Sequence, residues 1–345
     1  MWHMLRTNIL RSPLKFSNGR RLITSTRYHA PLAIAFDIDG VLKQGPKVLP
    51  EAIRTIRILE GENPWKRKVP YLFITNSGGK DEKVRANDLS NDFQTQVLPK
   101  QVVQAHTVMQ SLVETYKDKA ILMLGGPDYP PGSSRQVLEG YGFTQVYTAH
   151  DLQAFAPPSF PYGEPKKDQA CAIRHADFSK VSFEAIFMLH DSREWGRDIQ
   201  YAVDLMRSDG GVFGTVLTNE EIRARKPIPI YFSHGDLLWG NDFSVARLGQ
   251  GAFRTALEAV FHVRILLTTY KQRVTNGIQL NAHTFGKPET STYEYANGLL
   301  QELLLSASED SCAQIPPENV WMIGDNPYSD ILGTHYHRLI NDRCK

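Results

Sequence analysis

Residues 32–42 read LAIAFDIDGVL, an apolar run that ends in two aspartates one residue apart and then in a glycine. The run predicts a buried strand, and Gly40 frees the chain to turn behind it. Open parallel sheets bind their ligands beyond the carboxyl ends of their strands, so a strand of this kind delivers Asp37 and Asp39 to the reactive edge. Taken alone, Asp37-Ile38-Asp39-Gly40 is also an ordinary turn sequence. It does not begin an EF-hand calcium loop, which would need an oxygen ligand, a glycine and a glutamate where Val41, Leu42 and Val48 stand. The choice lies between a plain turn and a catalytic or metal-binding pair, and the rest of the chain decides it.

Outward from this strand, PEAIRTIRILEG (50–61) has helical apolar spacing, and VPYLFITNSGG (69–79) reads as a strand with a polar, glycine-rich exit. A helix is predicted near 102–116, then a strand at AILMLGG. A second α/β stretch follows with FEAIFMLHD, RDIQYAVDLMRSDGG and PIYFSHGDLLW. LGQGAF (248–253) opens a further helix, TFGKPETSTYEYANGLLQELL (284–304) gives a loop and a helix, and VWMIGDNPYSDILG (320–333) again feeds acidic residues from a strand. Alternation of this kind predicts an α/β protein with parallel sheets flanked by helices.

At 345 residues the chain has room for about two domains of roughly 150 residues each. No apolar run approaches the roughly 18 residues of a membrane-spanning helix. Residues 1–30 hold Arg6, Arg11, Lys15, Arg20, Arg21 and Arg27 and no acid, with Trp2, Leu5 and Ile9 at helical spacing. An arginine-rich, acid-poor, amphipathic start predicts a mitochondrial transit peptide and a place in the matrix. Removing those six cations from 39 Lys+Arg leaves 33 against 37 Asp+Glu, so the remainder has no basic excess to recommend nucleic acid as a partner. Cys171, Cys312 and Cys344 are scattered and odd in number, which predicts neither a disulfide framework nor a metal cluster.

Four exits now form a set: Asp37/Asp39, Thr75-Asn76-Ser77, Lys287 in Gly286-Lys287-Pro288, and Asp325/Asp330 in GDNPYSD. In this order they resemble the haloacid dehalogenase superfamily of phosphohydrolases. The long insertion between the second and third motifs resembles the NagD-like class with an α/β cap. Within that class, AFDIDGV, ITNSGG, IPIYFSHGDLLW, GQGAFR and GDNPYSDI are most similar to the mitochondrial cat eye syndrome critical region protein 5 group. The resemblance implies a Rossmannoid parallel core at 31–97 and 276–345 and an inserted α/β cap at 98–275.

It also implies a chemistry. Asp37 is the expected nucleophile, forming an aspartyl phosphate and offering an oxygen to Mg²⁺. Asp39 is the expected general acid and base, with its backbone carbonyl on the metal. Acid duty near neutrality would require its pKa to rise from about 3.9 by desolvation and neighbouring carboxylates. Asp325 is the expected second carboxylate ligand, with Asp330 in the outer shell. Thr75 and the backbone N–H groups of Asn76 and Ser77 would hold a phosphoryl oxygen, and Lys287 would add positive charge.

The strand exits of the cap would bring His190-Asp191-Ser192-Arg193 and Ser233-His234-Gly235-Asp236 to the leaving group, which makes Asp191, Arg193, His234 and Asp236 the expected specificity residues. GGPDYPP is a glycine-rich exit, but its prolines remove N–H donors and favour a rigid turn over a phosphate cradle. The His335-Tyr336-His337 pair reads as surface. Family members continue past the last acidic motif into further strands, whereas here fifteen residues follow Asp330, so the ending predicts an exposed sheet edge. The reading is a Mg²⁺-dependent phosphatase of a small phosphorylated metabolite, such as a sugar phosphate, a phosphorylated cofactor or a phospholipid headgroup precursor, with a homodimer as an expected assembly. The alternative is a catalytically silent fold that binds a metabolite or a protein.

Overall fold

The structure is a computed structural model that describes residues 32–126, 128, 130–163, 167–240, 243–262, 279–307 and 319–334. The expected transit peptide, Cys312, Cys344, His335 and His337 lie outside these residues. Nine strands build two parallel sheets. The first has the order β9-β1-β2-β3, from β1 (Leu32–Phe36), β2 (Tyr71–Thr75), β3 (Val102–Gln104) and β9 (Asn319–Ile323). The second has the order β8-β7-β6-β4-β5, from β4 (Ala120–Leu124), β5 (Gln145–Thr148), β6 (Phe183–Met188), β7 (Ile230–Phe232) and β8 (Ala282–Thr284). Every neighbouring pair in both sheets is parallel.

The strands read as continuous apolar runs because both faces are covered. On β2, Tyr71 and Phe73 point into one core with Phe36, Ile56 and Leu59 of helix α1 (Pro50–Leu59), and Leu89 and Phe93 of helix α2 (Glu82–Phe93). Leu72 and Ile74 point the other way, into a cluster that also holds Ile121, Met123 and Phe187 of the second sheet. That shared cluster is completed by Tyr293, Ala296 and Leu300 of helix α3 (Thr290–Ala307). Leu122, Ile186, Ile230 and Phe232 face a third core on the far side of the second sheet.

The domain limits differ from those expected. β3 falls inside the segment assigned to the cap but pairs with β2, and β8 falls inside the segment assigned to the core but pairs with β7. The predicted helix near 102–116 is instead β3 followed by helical turns at Thr107–Leu112 and Val113–Tyr116. Both misplaced strands are three residues long, too short to display a period of two. Helix α2 was not foreseen, because EKVRANDLSNDF buries only Ala86, Leu89 and Phe93 and its apolar signal is weak. Among the described residues, β9 is the outer strand of its sheet, and Val320 on it is exposed.

Candidate active site

β1 ends at Phe36, and the Asp37 N–H donates to the Ile323 carbonyl (2.8 Å), which fixes Asp37 at the seam between β1 and β9. The turn after it is built on Ile38, whose carbonyl accepts from the Leu42 and Lys43 N–H groups at 2.9 and 3.0 Å. Gly40 has φ +89°, and a Cβ there would run into the Asp325 carboxylate. Only glycine lets that carboxylate lie against the turn.

Lys287 follows β8 and is 3% exposed. Its Nζ donates to Asp37 Oδ1 and to Asp330 Oδ1, both at 2.5 Å. Asp330 is fully buried, and its Oδ2 accepts from the Asn326 N–H (3.0 Å), so both its oxygens are engaged. Asn326 in turn caps the helical turn Pro327–Leu332, its Oδ1 accepting from the Tyr328 N–H (2.9 Å). Asp37, Asp325 and Asp330 each offer a carboxylate oxygen within 4.8 Å of the others.

Charge crowding in a dry site sets the protonation states. Burial pushes Asp37 up to about 7; Lys287 pulls it back down, while Asp330 and Asp39 push it further up. Burial would lower Lys287, but Asp37 and Asp330 outweigh it and hold its pKa above the ordinary value. Burial and the Asp330 carboxylate raise Asp325. The desolvation expected at Asp39 falls on Asp37 instead, since the Asp39 residue is exposed.

The second motif sits at the end of β2. Thr75 is buried, and its Oγ1 accepts from the Ser77 N–H (3.0 Å), which leaves its own hydrogen to donate. The sequence reading gave the Asn76 backbone N–H to a phosphoryl oxygen; its side chain is engaged within the fold. Its Oδ1 accepts from the Lys287 N–H (2.7 Å), and its Nδ2 donates to the Lys287 carbonyl (2.8 Å) and to Asp236 Oδ2 (2.9 Å). Asn76 therefore fixes the Lys287 backbone and ties it to the second sheet.

The two exits from the second sheet meet one another. His190 and Asp191 leave β6, and His234 and Asp236 leave β7, the strand beside it. His234 Nε2 is 3.5 Å from Asp191 Oδ1 and its Nδ1 is 3.6 Å from Asp236 Oδ2. Ser192 is spent locally, donating to Asp198 Oδ2 (2.7 Å). Arg193 is exposed and has no ion pair among the described residues, and its charge acts on His190.

Sequence reading missed His106, a fully buried imidazole whose Nδ1 accepts from the Gly79 N–H (3.3 Å) and whose Nε2 lies 3.2 Å from the Lys80 carbonyl. Burial holds its pKa down to about 4, so it props the second-motif loop as a neutral ring. No signal short of the fold joins positions 26 and 27 residues apart.

The family model described as haloacid dehalogenase-like hydrolase matches residues 34–144, and one described as HAD-hydrolase-like matches residues 284–337. A mitochondrial hydrolase of Saccharomyces cerevisiae is 34% identical over 334 residues, covering 91% of this chain and 86% of that protein. A Schizosaccharomyces pombe protein named as a fusion of a CMP-forming cardiolipin synthase and a mitochondrial hydrolase is 32% identical, covering 97% of this chain and 51% of its own length. Among solved structures, a possible sugar phosphatase from Cytophaga hutchinsonii aligns at TM-score 0.54 and 17% identity, over 88% of this chain and 81% of that one. The 4-nitrophenylphosphatase of Thermotoga maritima aligns at 0.52 and 14% identity, over 89% and 82%. At these identities the structural likeness speaks for the fold.

Proposed function

Because this chain belongs to the haloacid dehalogenase-like hydrolases, in their NagD-like class of phosphohydrolases, we propose that it is a Mg²⁺-dependent phosphatase of small phosphate monoesters. The observation that carries this reading is Lys287, held at 2.5 Å from both Asp37 and Asp330 where β1 and β9 end. Around it the donor set is all carboxylate, with Asp325 laid against Gly40, and such a hard oxygen cluster fits Mg²⁺. Asp37 and Asp325 would hold the ion, with the Asp39 carbonyl. Bound there, it supplies positive charge against the phosphoryl oxygens.

The remaining roles follow from position. Lys287 engages Asp37 Oδ1, which leaves Oδ2 to attack phosphorus in line with the departing ester oxygen. Asp39, open to solvent beside the turn, gives that oxygen a proton as the P–O bond breaks. It then takes a proton from water, whose oxygen attacks the phosphoryl group on Asp37 and releases phosphate. Thr75 donates its hydroxyl to a phosphoryl oxygen. Asp330, with both oxygens engaged, positions Lys287 and stays off the metal.

The names of both yeast relatives, together with the arginine-rich residues 1–30, support a mitochondrial site of action, with the matrix as its compartment. The cardiolipin synthase half of the fission-yeast relative favours a phosphorylated phospholipid precursor over the other ester classes. The test is phosphate release by the full chain on a panel of phosphate esters, with and without Mg²⁺, beside Asp37→Asn. Turnover that needs both the metal and Asp37 is the expected result. A folded, inert wild type across the panel would instead identify a silent fold that binds a metabolite or a protein.

A further inference from the structure

β6 and β7 are neighbours in the second sheet, and their exits bring His190, Asp191 and His234 together as a group separate from the three carboxylates around Lys287. One ligand atom from each lies within 4.8 Å of the other two. His190 Nδ1 is 3.8 Å from Asp191 Oδ2, and His234 Nε2 is 3.5 Å from Asp191 Oδ1. His190 Nδ1, Asp191 Oδ1 and His234 Nε2 are all buried, and none has a hydrogen-bond partner. His234 itself is 4% exposed. His234 Nε2 and Asp191 Oδ1 face one another at 3.5 Å without a well-formed hydrogen bond, and His190 Nδ1 beside them has none, so the three converge on a place built for something that pairs with all of them.

We propose that His190 Nδ1, an Asp191 carboxylate oxygen and His234 Nε2 bind a transition-metal ion of the Zn²⁺ class, with a fourth position for water or a substrate oxygen. Ligand atoms at about 2.1 Å from a tetrahedral ion stand about 3.4 Å from one another; the histidine nitrogens lie 3.8 and 3.5 Å from the two Asp191 oxygens, and one ligand atom from each residue falls within 4.8 Å of the others. Two imidazoles and a carboxylate select a borderline ion over Mg²⁺, which the all-oxygen cluster around Lys287 suits.

The surroundings match a metal centre. His234 Nδ1 accepts from the Asp236 N–H (3.4 Å) and lies 3.6 Å from Asp236 Oδ2; with Nε2 on a metal, Nδ1 would carry the ring proton and that carboxylate is the acceptor beside it. Asp236 is itself held by Asn76 Nδ2 (2.9 Å), the side chain that also fixes Lys287. The loop backbone is clamped, since the Gly126 N–H donates to the Asp191 carbonyl (3.1 Å) and a Cβ on Gly125 would run into the His190 carbonyl. The site stands or falls independently of phosphate-ester turnover.

The experiment is titration of the metal-free full chain with Co²⁺ in excess Mg²⁺, read by visible absorption and by hyperfine-shifted proton resonances. Expected are one Co²⁺ per chain bound in the micromolar range or tighter, displacement by Zn²⁺, and two shifted exchangeable imidazole protons. His190→Ala and His234→Gln should each weaken binding at least tenfold, whereas Asp37→Asn should leave it unchanged. Displacement by Mg²⁺ at equal concentration, binding that survives the His190/His234 double variant, or a wild type with no shifted imidazole protons would each overturn the proposal. The wild-type spectrum decides the matter even if a variant does not fold.

Discussion

Lys287→Met removes the only cation that contacts Asp37 and Asp330 among the described residues, and keeps an unbranched side chain one heavy atom shorter. Breaking a buried ion cluster by deleting one partner costs about 3–5 kcal/mol, because the remaining charge stays buried and unpaired. For a chain of this size that is on the order of 5–10 °C in melting temperature. The sign of the pH dependence follows from Asp37. Its folded pKa, about 7, lies above that of an unfolded aspartate, so the native state keeps a proton that the unfolded chain releases. Stability from this group is therefore lost as pH rises toward and through its folded pKa. Without Lys287 that pKa climbs further and the loss extends to higher pH. The variant's deficit should be smaller near about pH 5.5, grow through about pH 8 and be full only above about pH 9. Mg²⁺ should restore part of it at the higher pH by supplying the missing positive charge, and should raise the variant's melting temperature more than the wild type's. The assay is thermal unfolding by circular dichroism at the lowest and the highest of these pH values with and without Mg²⁺. A deficit of equal size at both, or none at the higher pH, would refute the reasoning.

Two further substitutions probe the scaffold. Gly40→Ala places a methyl group in the Asp325 carboxylate at a left-handed φ, so Mg²⁺ should lose its effect on melting temperature and turnover should fall at least a hundredfold, measured by thermal shift and phosphate release. Asn76→Ala removes three hydrogen bonds and leaves the Lys287 N–H and carbonyl without them, costing about 2–4 kcal/mol in denaturant unfolding. On the proposed mechanism it should lower kcat more than it raises KM, because Lys287 holds Asp37, the proposed nucleophile.

The four acidic, hydroxyl and lysine motifs were legible because each ends or follows a strand, and parallel strands buried on both faces announce themselves as unbroken apolar runs. LAIAF and YLFIT could hardly be anything else. β3 and β8 could not be read, since three residues carry no periodicity, and the division between the two sheets was misplaced for that reason. The duty of Asn76 was hidden as well. Its partners lie 160 and 211 residues away, and an asparagine in a glycine-rich exit looks like a turn residue until the fold brings them together. The distribution of burial between Asp37 and Asp39 was equally invisible, because two positions along a turning chain separate a buried residue from an exposed one.

The apolar cluster that runs from Leu72 and Val103 to Met123 and Phe187 makes the two sheets poor candidates for a jaw. To part them, water would have to wet Phe187, Tyr293 and Leu300 at about 25 cal/mol for each Å² of apolar surface uncovered. Releasing the Asn76 to Asp236 contact disturbs one charge-assisted bond, about 1.5–3 kcal/mol. Opening the site by parting the two sheets is thus far costlier than releasing that single contact at its rim.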